Sequence, residues 1–218
     1  MTFGPLSTTT YAVNGASFSM VRLPPGRFVD GENEVRRDLL VSRPFELGLA
    51  PVTQALYQAV MGLSPSRFKA EDRPVETVSY EDVQVFLARL PVLGLTGFRL
   101  PTEAEWVWAA RCGVPTSWAG ADRAKPVALA DASETGLVAG LSPGSAGIFD
   151  QSGNVMVWVA DWHQGSPAPG IDPRGPASGS YRVRRGGSWL YARVTYRSSN
   201  GPNYRYGDLG FRLLRTAG

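Results

Sequence analysis

Apolar residues recur at helical spacing in three stretches of the chain, at residues 53–62, 75–91 and 98–113. Each helical pattern begins behind a hydroxyl residue that can cap the first turn, namely Thr53, Ser79 and Thr102. For the last two, an acidic residue three positions later completes a capping-box pair, Asp82 and Glu105. Gly62 and Pro91 stand where the first two helices are expected to end. The pattern predicts three short helices in the first half of the chain.

Hydrophobic and polar residues alternate instead in FSMVRLPPGRFV (18–29), on both sides of a Pro-Pro-Gly turn, which predicts a β-hairpin. FELGLAPVT (45–53) predicts a further short strand that ends at a proline. Residues 114–147 and 163–181 are rich in Ala, Gly, Pro and Ser, which is typical of long connections. Because neither an internal repeat nor a clear linker interrupts the chain, residues 1–218 are predicted to form one α+β domain.

The composition is that of an ordinary globular protein, with 43% hydrophobic and 19% charged residues. The net charge is +3, and the positive charge is almost all arginine because lysine occurs only at Lys69 and Lys125. Arginine suits planar hydrogen bonding and stacking on aromatic rings. The densest basic stretch, formed by Arg182, Arg184 and Arg185, is too short for the basic stripe of a nucleic-acid-binding protein. Nucleic acid is therefore a minor alternative and not the expected partner.

The chain has one cysteine, Cys112, which excludes an intrachain disulfide and a cysteine-based zinc site. The first residues, MTFGPLSTTTYAVNG, have neither the basic region nor the apolar region of a secretory signal. No apolar run approaches the length of a membrane span. The expected location is the cytoplasm, with display on a cell or phage surface left open.

Five stretches, taken in order, resemble one protein family: PVETVSYEDVQVFL, FRLPTEAEWVWAARCG, GIFDQSGNVMVWVADW, RVRRGGSW and GFRLL. They are similar to the formylglycine-generating enzyme, or sulfatase-modifying factor, family. The resemblance runs from about Phe18 to Leu214, and its RLPTEAEW block is highly specific. It implies an α+β, C-type lectin-like fold of the formylglycine-generating enzyme type, with short strands, two or three short helices and much irregular structure.

The residues needed for the family's oxidative chemistry are missing. Its oxidising members carry two cysteines shortly after the RGGS block, and here Tyr191 and Tyr196 stand in the matching stretch WLYARVTYRSSN. A tyrosine hydroxyl, with a pKa near ~10, is neither a soft copper ligand nor a redox thiol. Cys112 lies in a predicted scaffold helix, and His163 alone cannot build the three-histidine iron site of a related branch. The chain is therefore predicted to be no enzyme and to require no cofactor.

The resemblance also implies a candidate structural calcium site, in the loop before the GN-x-W motif. The equivalent residues would contribute a carboxylate and three backbone carbonyls, from Asp150, Gln151, Gly153 and Val155. Oxygen ligands from a tight loop suit calcium. Met156 and Val157 replace the family's common Trp-Glu pair, which removes a carboxylate. A turn role for Asp150 without any ion stays open.

The segment 185–214 resembles the variable region of the variable proteins of diversity-generating retroelements, which share this fold. In that class, asparagine codons are rewritten at template adenines. Residues typical of fixed supports here are Arg185–Trp189, Gly210–Arg212, Arg193, Arg197, Pro202, Arg205 and Leu209. The candidate variable, ligand-binding residues are Leu190, Tyr191, Val194, Tyr196, Asn200, Gly201, Asn203, Tyr204, Tyr206, Gly207 and Asp208. From Leu190 to Leu209 there is no Lys, Glu, Gln, Met or Trp, as expected when only the first two bases of an Asn codon change.

The composition of this segment favours recognition over chemistry. Tyrosine gives a large amphipathic contact area at little rotamer cost, and Ser, Gly and Asn give adaptable hydrogen bonds. We expect Tyr191, Tyr204 and Tyr206 to be exposed, and Tyr196 is left open. The expected partner is a protein or cell-surface ligand. The alternatives are a catalytically inactive sulfatase-modifying-factor-type domain that binds a fixed carbohydrate or protein, and, more weakly, an oxidoreductase with an unrecognised site.

Overall fold

The three predicted helices are all present in the computed structural model, which describes residues 6–30, 37–112, 116–119, 127–165 and 169–216. They are α1 Gln54–Met61, α2 Tyr80–Arg89 and α3 Glu103–Arg111. The hydroxyls of Thr53, Ser79 and Thr102 each accept a backbone N–H of the first turn. Both predicted capping boxes are closed. Local sequence therefore determines where these helices start.

Short strands make up most of the remaining regular structure. They are β1 Thr8–Val13, β2 Ala16–Leu23, β3 Gly26–Asp30, β4 Arg37–Val41, β5 Phe45–Gly48, β6 Phe98–Arg99, β7 Ala128–Leu129, β8 Ser152–Gly153, β9 Met156–Trp162, β10 Gly170–Ile171, β11 Arg182–Ser188, β12 Tyr191–Asn200, β13 Leu209–Phe211 and β14 Leu214–Thr216. The larger sheets have the orders β1-β2-β5-β14-β6 and β12-β11-β9-β13, and the smaller ones β10-β4-β3 and β7-β8. Short helices among many short strands confirm the predicted α+β class.

The hairpin predicted over residues 18–29 is wrong in its pairing, although both strands exist. β2 pairs with β1 and β5, whereas β3 pairs with β4 in a different sheet. Pro24 and Pro25 have no N–H to donate to a ladder. Trp108 Nε1 donates to the Pro24 carbonyl oxygen over 2.9 Å, and a Cβ on Gly26 would meet the Trp108 ring at 2.1 Å. The Pro-Pro-Gly stretch therefore connects two sheets and packs on α3.

The core forms two apolar clusters that meet at β9. The first cluster surrounds α3 and includes Trp106 and Trp108, which are almost fully buried. The second includes apolar residues of α1 and α2 together with Trp158 and Phe211. β9 lies between β11 and β13, so it holds both the strand on which β12 is paired and the strand that follows the loop after β12. The next element outward is β12, which therefore stands on a rigid base.

Candidate functional site

The hairpin of β11 and β12 carries most of the candidate ligand-binding residues. Its strands are antiparallel, and Trp189 and Leu190 connect them. Gly187 has φ of +70°, and an added Cβ would lie 2.3 Å from the Tyr191 carbonyl oxygen. Glycine is required at this position because only it tolerates both the conformation and the close approach.

A large bulge interrupts β12 immediately after the turn. Arg185 pairs with Arg197 and Gly187 pairs with Ala192, so Gly186 alone lies opposite residues 193–196. The Val194 N–H donates to the Ser117 carbonyl oxygen over 2.9 Å instead of to β11. Bulges change the direction in which side chains point, and this one was not foreseen from the sequence.

The bulge brings Tyr191 and Tyr196 together. Their hydroxyl oxygens are 2.7 Å apart, with Tyr191 donating, and their ring centroids are 4.6 Å apart in an edge-on arrangement. Burial and this hydrogen bond raise the pKa of Tyr191 above its ordinary value. Tyr191 and Tyr196 thus form one hydrogen-bonded pair.

A second tyrosine pair comes from the loop after β12. The rings of Tyr204 and Tyr206 are stacked at 6.2 Å with an interplanar angle of 17°. Arg184 of β11 places its guanidinium carbon 5.6 Å from the centre of the Tyr204 ring. Its positive charge also acts on Tyr191, where it opposes the rise of that pKa. Arg184 thus links the two pairs, and we call the surface of Arg184, Tyr191, Tyr196, Tyr204 and Tyr206 the tyrosine face.

Ion pairs hold the back of the hairpin to α3. Glu103, the first residue of α3, accepts from Arg197 over 2.7 Å and lies 3.4 Å from the Arg185 guanidinium. All three side chains are largely buried. Asp161 of β9 accepts the Glu103 backbone N–H over 2.6 Å, which fixes the same helix end. The predicted supporting roles of Arg185 and Arg197 agree with this geometry.

The loop that carries Tyr204 and Tyr206 is also tied to the scaffold. Arg205 binds Asp82 through two hydrogen bonds of 2.7 and 2.8 Å, and Asp82 is the partner of Ser79 in the capping box of α2. The Tyr206 carbonyl oxygen accepts the Thr77 N–H over 3.0 Å. Trp189 Nε1 donates to the Gly207 carbonyl oxygen over 3.2 Å. Backbone and arginine contacts therefore fix the loop while its tyrosine rings stay at the surface.

The structure divides the candidate variable residues into three groups. Exposed are Leu190, Tyr191, Asn203 and Tyr206, and half-buried are Tyr196, Asn200, Gly201, Tyr204 and Gly207. Tyr191 and Tyr206 are therefore exposed as expected, whereas Tyr204 is less exposed than expected because it packs against the second core cluster. Buried are Val194 and Asp208.

Three assignments from the sequence need correction. Val194 has 0% exposure because it alternates with Tyr191 and Arg193 and points into the core, so it cannot contact a ligand. Arg193, assigned to the supports, is exposed on the outer side of β12. Asp208 is buried and accepts a hydrogen bond from Ser188, and burial raises the pKa of its carboxyl group. Val194 and Arg193 point to opposite sides because side chains alternate along a strand. Asp208 is buried because the loop re-enters the sheet at β13.

The predicted calcium loop is closed by its own hydrogen bonds. The two carboxylate oxygens of Asp150 accept from the Ala139 N–H over 2.8 Å and from the Asn154 amide over 3.4 Å. The guanidinium of buried Arg212 adds positive charge close by. Val157, at the position where the family commonly has glutamate, is a buried apolar residue. Asp150 therefore acts as a turn residue in this loop, and calcium binding through the predicted carbonyls stays a prediction.

Cys112 is not available for chemistry. It caps α3 in a left-handed conformation and is fully buried, and burial raises the pKa of its thiol to about 12. Because the thiolate is the nucleophile, such a thiol is unreactive at neutral pH. Within the described residues, no group of three or more His, Cys, Asp or Glu side chains could hold a metal ion.

Comparisons with known proteins agree with this geometry. A sequence model of the family described as "Sulfatase-modifying factor enzyme 1-like domain" matches residues 11–217. The structure of Treponema denticola variable protein 1 superposes with a TM-score of 0.86 and 31% identity, over 96% of this chain and 99% of that one. These matches confirm the predicted resemblance to the family's fold and to variable proteins.

Curated relatives include both active and inactive proteins by name. The formylglycine-generating enzyme of Streptomyces coelicolor is 36% identical over 174 residues, which cover 67% of this chain and 54% of the enzyme. The inactive C-alpha-formylglycine-generating enzyme 2 of Mus musculus is 31% identical over 194 residues, which cover 77% of this chain and 57% of that protein. The chain thus spans little more than half the length of these relatives.

Among the described residues, no helix is long and apolar enough to cross a membrane.

Proposed function

The chain belongs to the sulfatase-modifying factor enzyme 1-like family, and within it we propose a ligand-binding protein without enzymatic activity, whose binding surface is the tyrosine face. The fold is the ligand-binding scaffold, and the hairpin and following loop supply the contacts. The ligand is a protein or another cell-surface molecule.

The Tyr191–Tyr196 pair is the observation that carries this proposal. The two side chains occupy the positions at which the family's oxidising members have their cysteines, and they bind each other at 2.7 Å. The only thiol of the chain, in Cys112, is buried in α3. Neither a copper-binding thiol pair nor a thiol nucleophile is therefore available where that chemistry would occur.

The second part of the proposal is that a diversity-generating retroelement rewrites this surface. The exposed residues at 190, 191, 203 and 206 stand beside anchored ones, so their side chains can change while the backbone keeps its hydrogen bonds. The 31% identity and 0.86 TM-score to a protein called variable protein 1 support the same reading. The segment 185–214 is the proposed variable region, and residues 1–218 as one domain stay a prediction.

DNA next to the gene tests the retroelement part. The expected finding is a near-copy of the 3′ end of the gene, with adenines at the codons of the exposed residues, together with a reverse transcriptase gene. Adenines at the Val194 codon are not expected, since this side chain belongs to the core. A locus without template repeat and reverse transcriptase contradicts diversification but leaves ligand binding standing.

An activity assay tests the absence of catalysis. The purified protein is incubated with copper and a peptide that carries a sulfatase motif, and a formylglycine-generating enzyme serves as the positive control. We expect no aldehyde product on the peptide by mass spectrometry. Any aldehyde above the level without protein overturns the proposal.

The mouse relative named inactive favours one alternative, a catalytically silent domain with a fixed carbohydrate or protein partner. It differs from the main proposal in one respect, because it requires no variation at the tyrosine face. Sequencing the gene in several isolates separates the two. Substitutions concentrated at the exposed codons support diversification, and an unchanged tyrosine face supports the fixed partner.

A further inference from the structure

Arg184 differs from the neighbouring Arg185, Arg197 and Arg205, each of which is paired with a carboxylate. Arg185 and Arg197 share Glu103, and Arg205 is bound to Asp82. Among the described residues Arg184 makes no ion pair, and its one hydrogen bond, to the Ser198 hydroxyl, is 3.3 Å long. Its Nε atom is buried without a hydrogen-bond partner. A half-buried guanidinium with unused N–H groups is costly unless a ligand satisfies it.

Asp208, the acidic residue whose charge acts on Arg184, forms no ion pair with it. Asp208 is within electrostatic reach of Arg184, but its carboxyl group is buried and hydrogen-bonded to Ser188. Desolvation raises the pKa of Asp208, which works against its charged form. Across residues 182–208 the chain has six arginines and this single acidic residue. The tyrosine face is therefore rich in hydrogen-bond donors and poor in negative charge.

The surroundings of Arg184 suit a single carboxylate. The guanidinium lies beside the Tyr204 ring at 5.6 Å, and its charge also acts on Tyr191 of the Tyr191–Tyr196 pair. Aromatic rings shield such a charge from water, which strengthens a charge-assisted hydrogen bond. Resting on the proposed ligand-binding function, we propose that Arg184 is an anchor for an Asp or Glu carboxylate of an acidic protein ligand, held between the two tyrosine pairs.

A protein ligand fits this arrangement better than a polyanion does. Three neighbouring arginines are already neutralised, so the face offers one enclosed cation and the exposed Arg193, and not a continuous basic track. Nucleic acids and sulfated polysaccharides bind along such tracks. Tyrosine and arginine together are the residues enriched at the centres of protein–protein interfaces.

The test uses a phage-displayed library of single-domain antibodies selected on the immobilised wild-type protein. Binders to the tyrosine face are identified by loss of binding to Tyr191→Ala or Tyr206→Ala. We expect these binders to carry an Asp or Glu whose change to Asn or Gln weakens binding by about 10- to 100-fold. Arg184→Gln is expected to weaken the same binders equally, and the two changes combined no further than one alone, since they remove one interaction.

Controls separate charge, geometry and folding. Arg22→Gln removes an exposed arginine from another sheet and should leave binding unchanged. Arg184→Lys keeps the charge without the planar pair of donors and should give an intermediate loss. Thermal unfolding checks that each variant folds. If Arg184→Gln fails to fold, two other measurements test the anchor: binding of the Asn- or Gln-substituted binders to the wild-type protein, and binding of the original binders to Arg184→Lys. Binding of the wild-type protein and of Arg184→Gln to immobilised heparin tests whether a sulfated polyanion is the ligand instead.

Each outcome has one meaning. The anchor is overturned if binders to the tyrosine face need no carboxylate. It is also overturned if the loss of binding from the carboxylate change adds to the loss from Arg184→Gln. Either result leaves the proposed function intact. Heparin binding that Arg184→Gln abolishes, with no carboxylate-dependent binders, replaces the protein ligand by a sulfated one. Binders that all ignore Tyr191 and Tyr206, or a selection without binders, contradict the tyrosine face itself.

Discussion

The two sides of the β11–β12 hairpin use the same residue types for different purposes. On the inner side, Arg185 and Arg197 are satisfied by Glu103 and packed against α3. On the outer side, Arg184 and the tyrosines contact one another and solvent. The inner arginines therefore have a carboxylate partner within the protein, whereas Arg184 on the outer side has none among the described residues. Changes on the inner side should cost stability, and changes on the outer side should cost binding.

The largest loss of stability is expected for Glu103→Gln. This change removes the carboxylate that pairs with both Arg185 and Arg197, which costs about 3–5 kcal/mol for a broken buried pair. Urea unfolding at neutral pH measures the difference. Glu134→Gln is the control because its pair with Arg73 lies at the surface, and little change is expected there. Equal losses for the two variants contradict an energetically special inner side.

Gly187→Ala is expected to destabilise the hairpin by about 2–4 kcal/mol, since it adds both backbone strain and overlap. The overlap is with the Tyr191 carbonyl oxygen at 2.3 Å. Gly15→Ala is a matched control with φ of +85° and open space around the added Cβ, and it should cost only about 1 kcal/mol. Unfolding free energies measure both. If the two variants lose the same unfolding free energy, the close approach of Gly187 to the Tyr191 carbonyl oxygen does not contribute to stability.

Val194→Ala and Tyr206→Ala compare two residues that the sequence placed in one set. Val194 is fully buried, so its loss of two methyl groups should cost about 2 kcal/mol of stability. Tyr206 is 53% exposed, so its change should stay within about 0.5 kcal/mol. Chemical unfolding checks the prediction. The reverse order of the two effects means that the inner and outer sides of β12 are assigned wrongly.

Asp208→Asn and Asp30→Asn should differ in the sign of their pH dependence. Burial raises the pKa of Asp208, so the wild-type carboxyl contributes stability at low pH and loses it as pH rises through the folded-state pKa. Relative to wild type, Asp208→Asn should therefore gain stability between about pH 3 and about pH 7. Unfolding free energies of both proteins at several pH values measure this trend. If the stability of Asp208→Asn relative to wild type stays constant or falls as pH rises, burial does not favour the protonated form of Asp208.

Asp30 is the opposite case and serves as the control. Its burial is outweighed by the positive charges of Arg185, Arg111 and Arg37, so its pKa is lowered. The wild-type stability from this group is present above the unfolded-state pKa and lost as pH falls through the folded-state pKa. Asp30→Asn should therefore lose stability relative to wild type as pH rises over the same range.

No change at all is expected when a chelator is added. Asp150 already accepts two hydrogen bonds within its loop, and Arg212 supplies positive charge nearby. Thermal unfolding with and without a calcium chelator should give the same Tm. A bound ion stabilises the folded state by mass action. A lower Tm with chelator, restored by added calcium, would therefore mean that the Asp150 loop binds calcium.

The sequence by itself determined the local features of this protein. Thr53, Ser79 and Thr102 specify helix starts because a cap and its partner lie within three residues. Ordered motifs were sufficient for the family, and the sequence contains a single cysteine, Cys112. The composition of residues 185–214 likewise predicts the segment of the proposed binding surface. None of these inferences requires knowledge of which distant residues meet.

Only the tertiary structure decided which of the candidate ligand-binding residues are exposed. The bulge at 193–196 depends on a hydrogen bond from Val194 to Ser117, far away along the chain, and it determines which side chains point outward. The same holds for the 18–29 stretch, whose two strands join different sheets. Arg184 became distinctive only when its neighbours proved to be paired with Glu103 and Asp82. Burial and charge pairing are properties of long-range contacts, and residue order along one segment does not contain them.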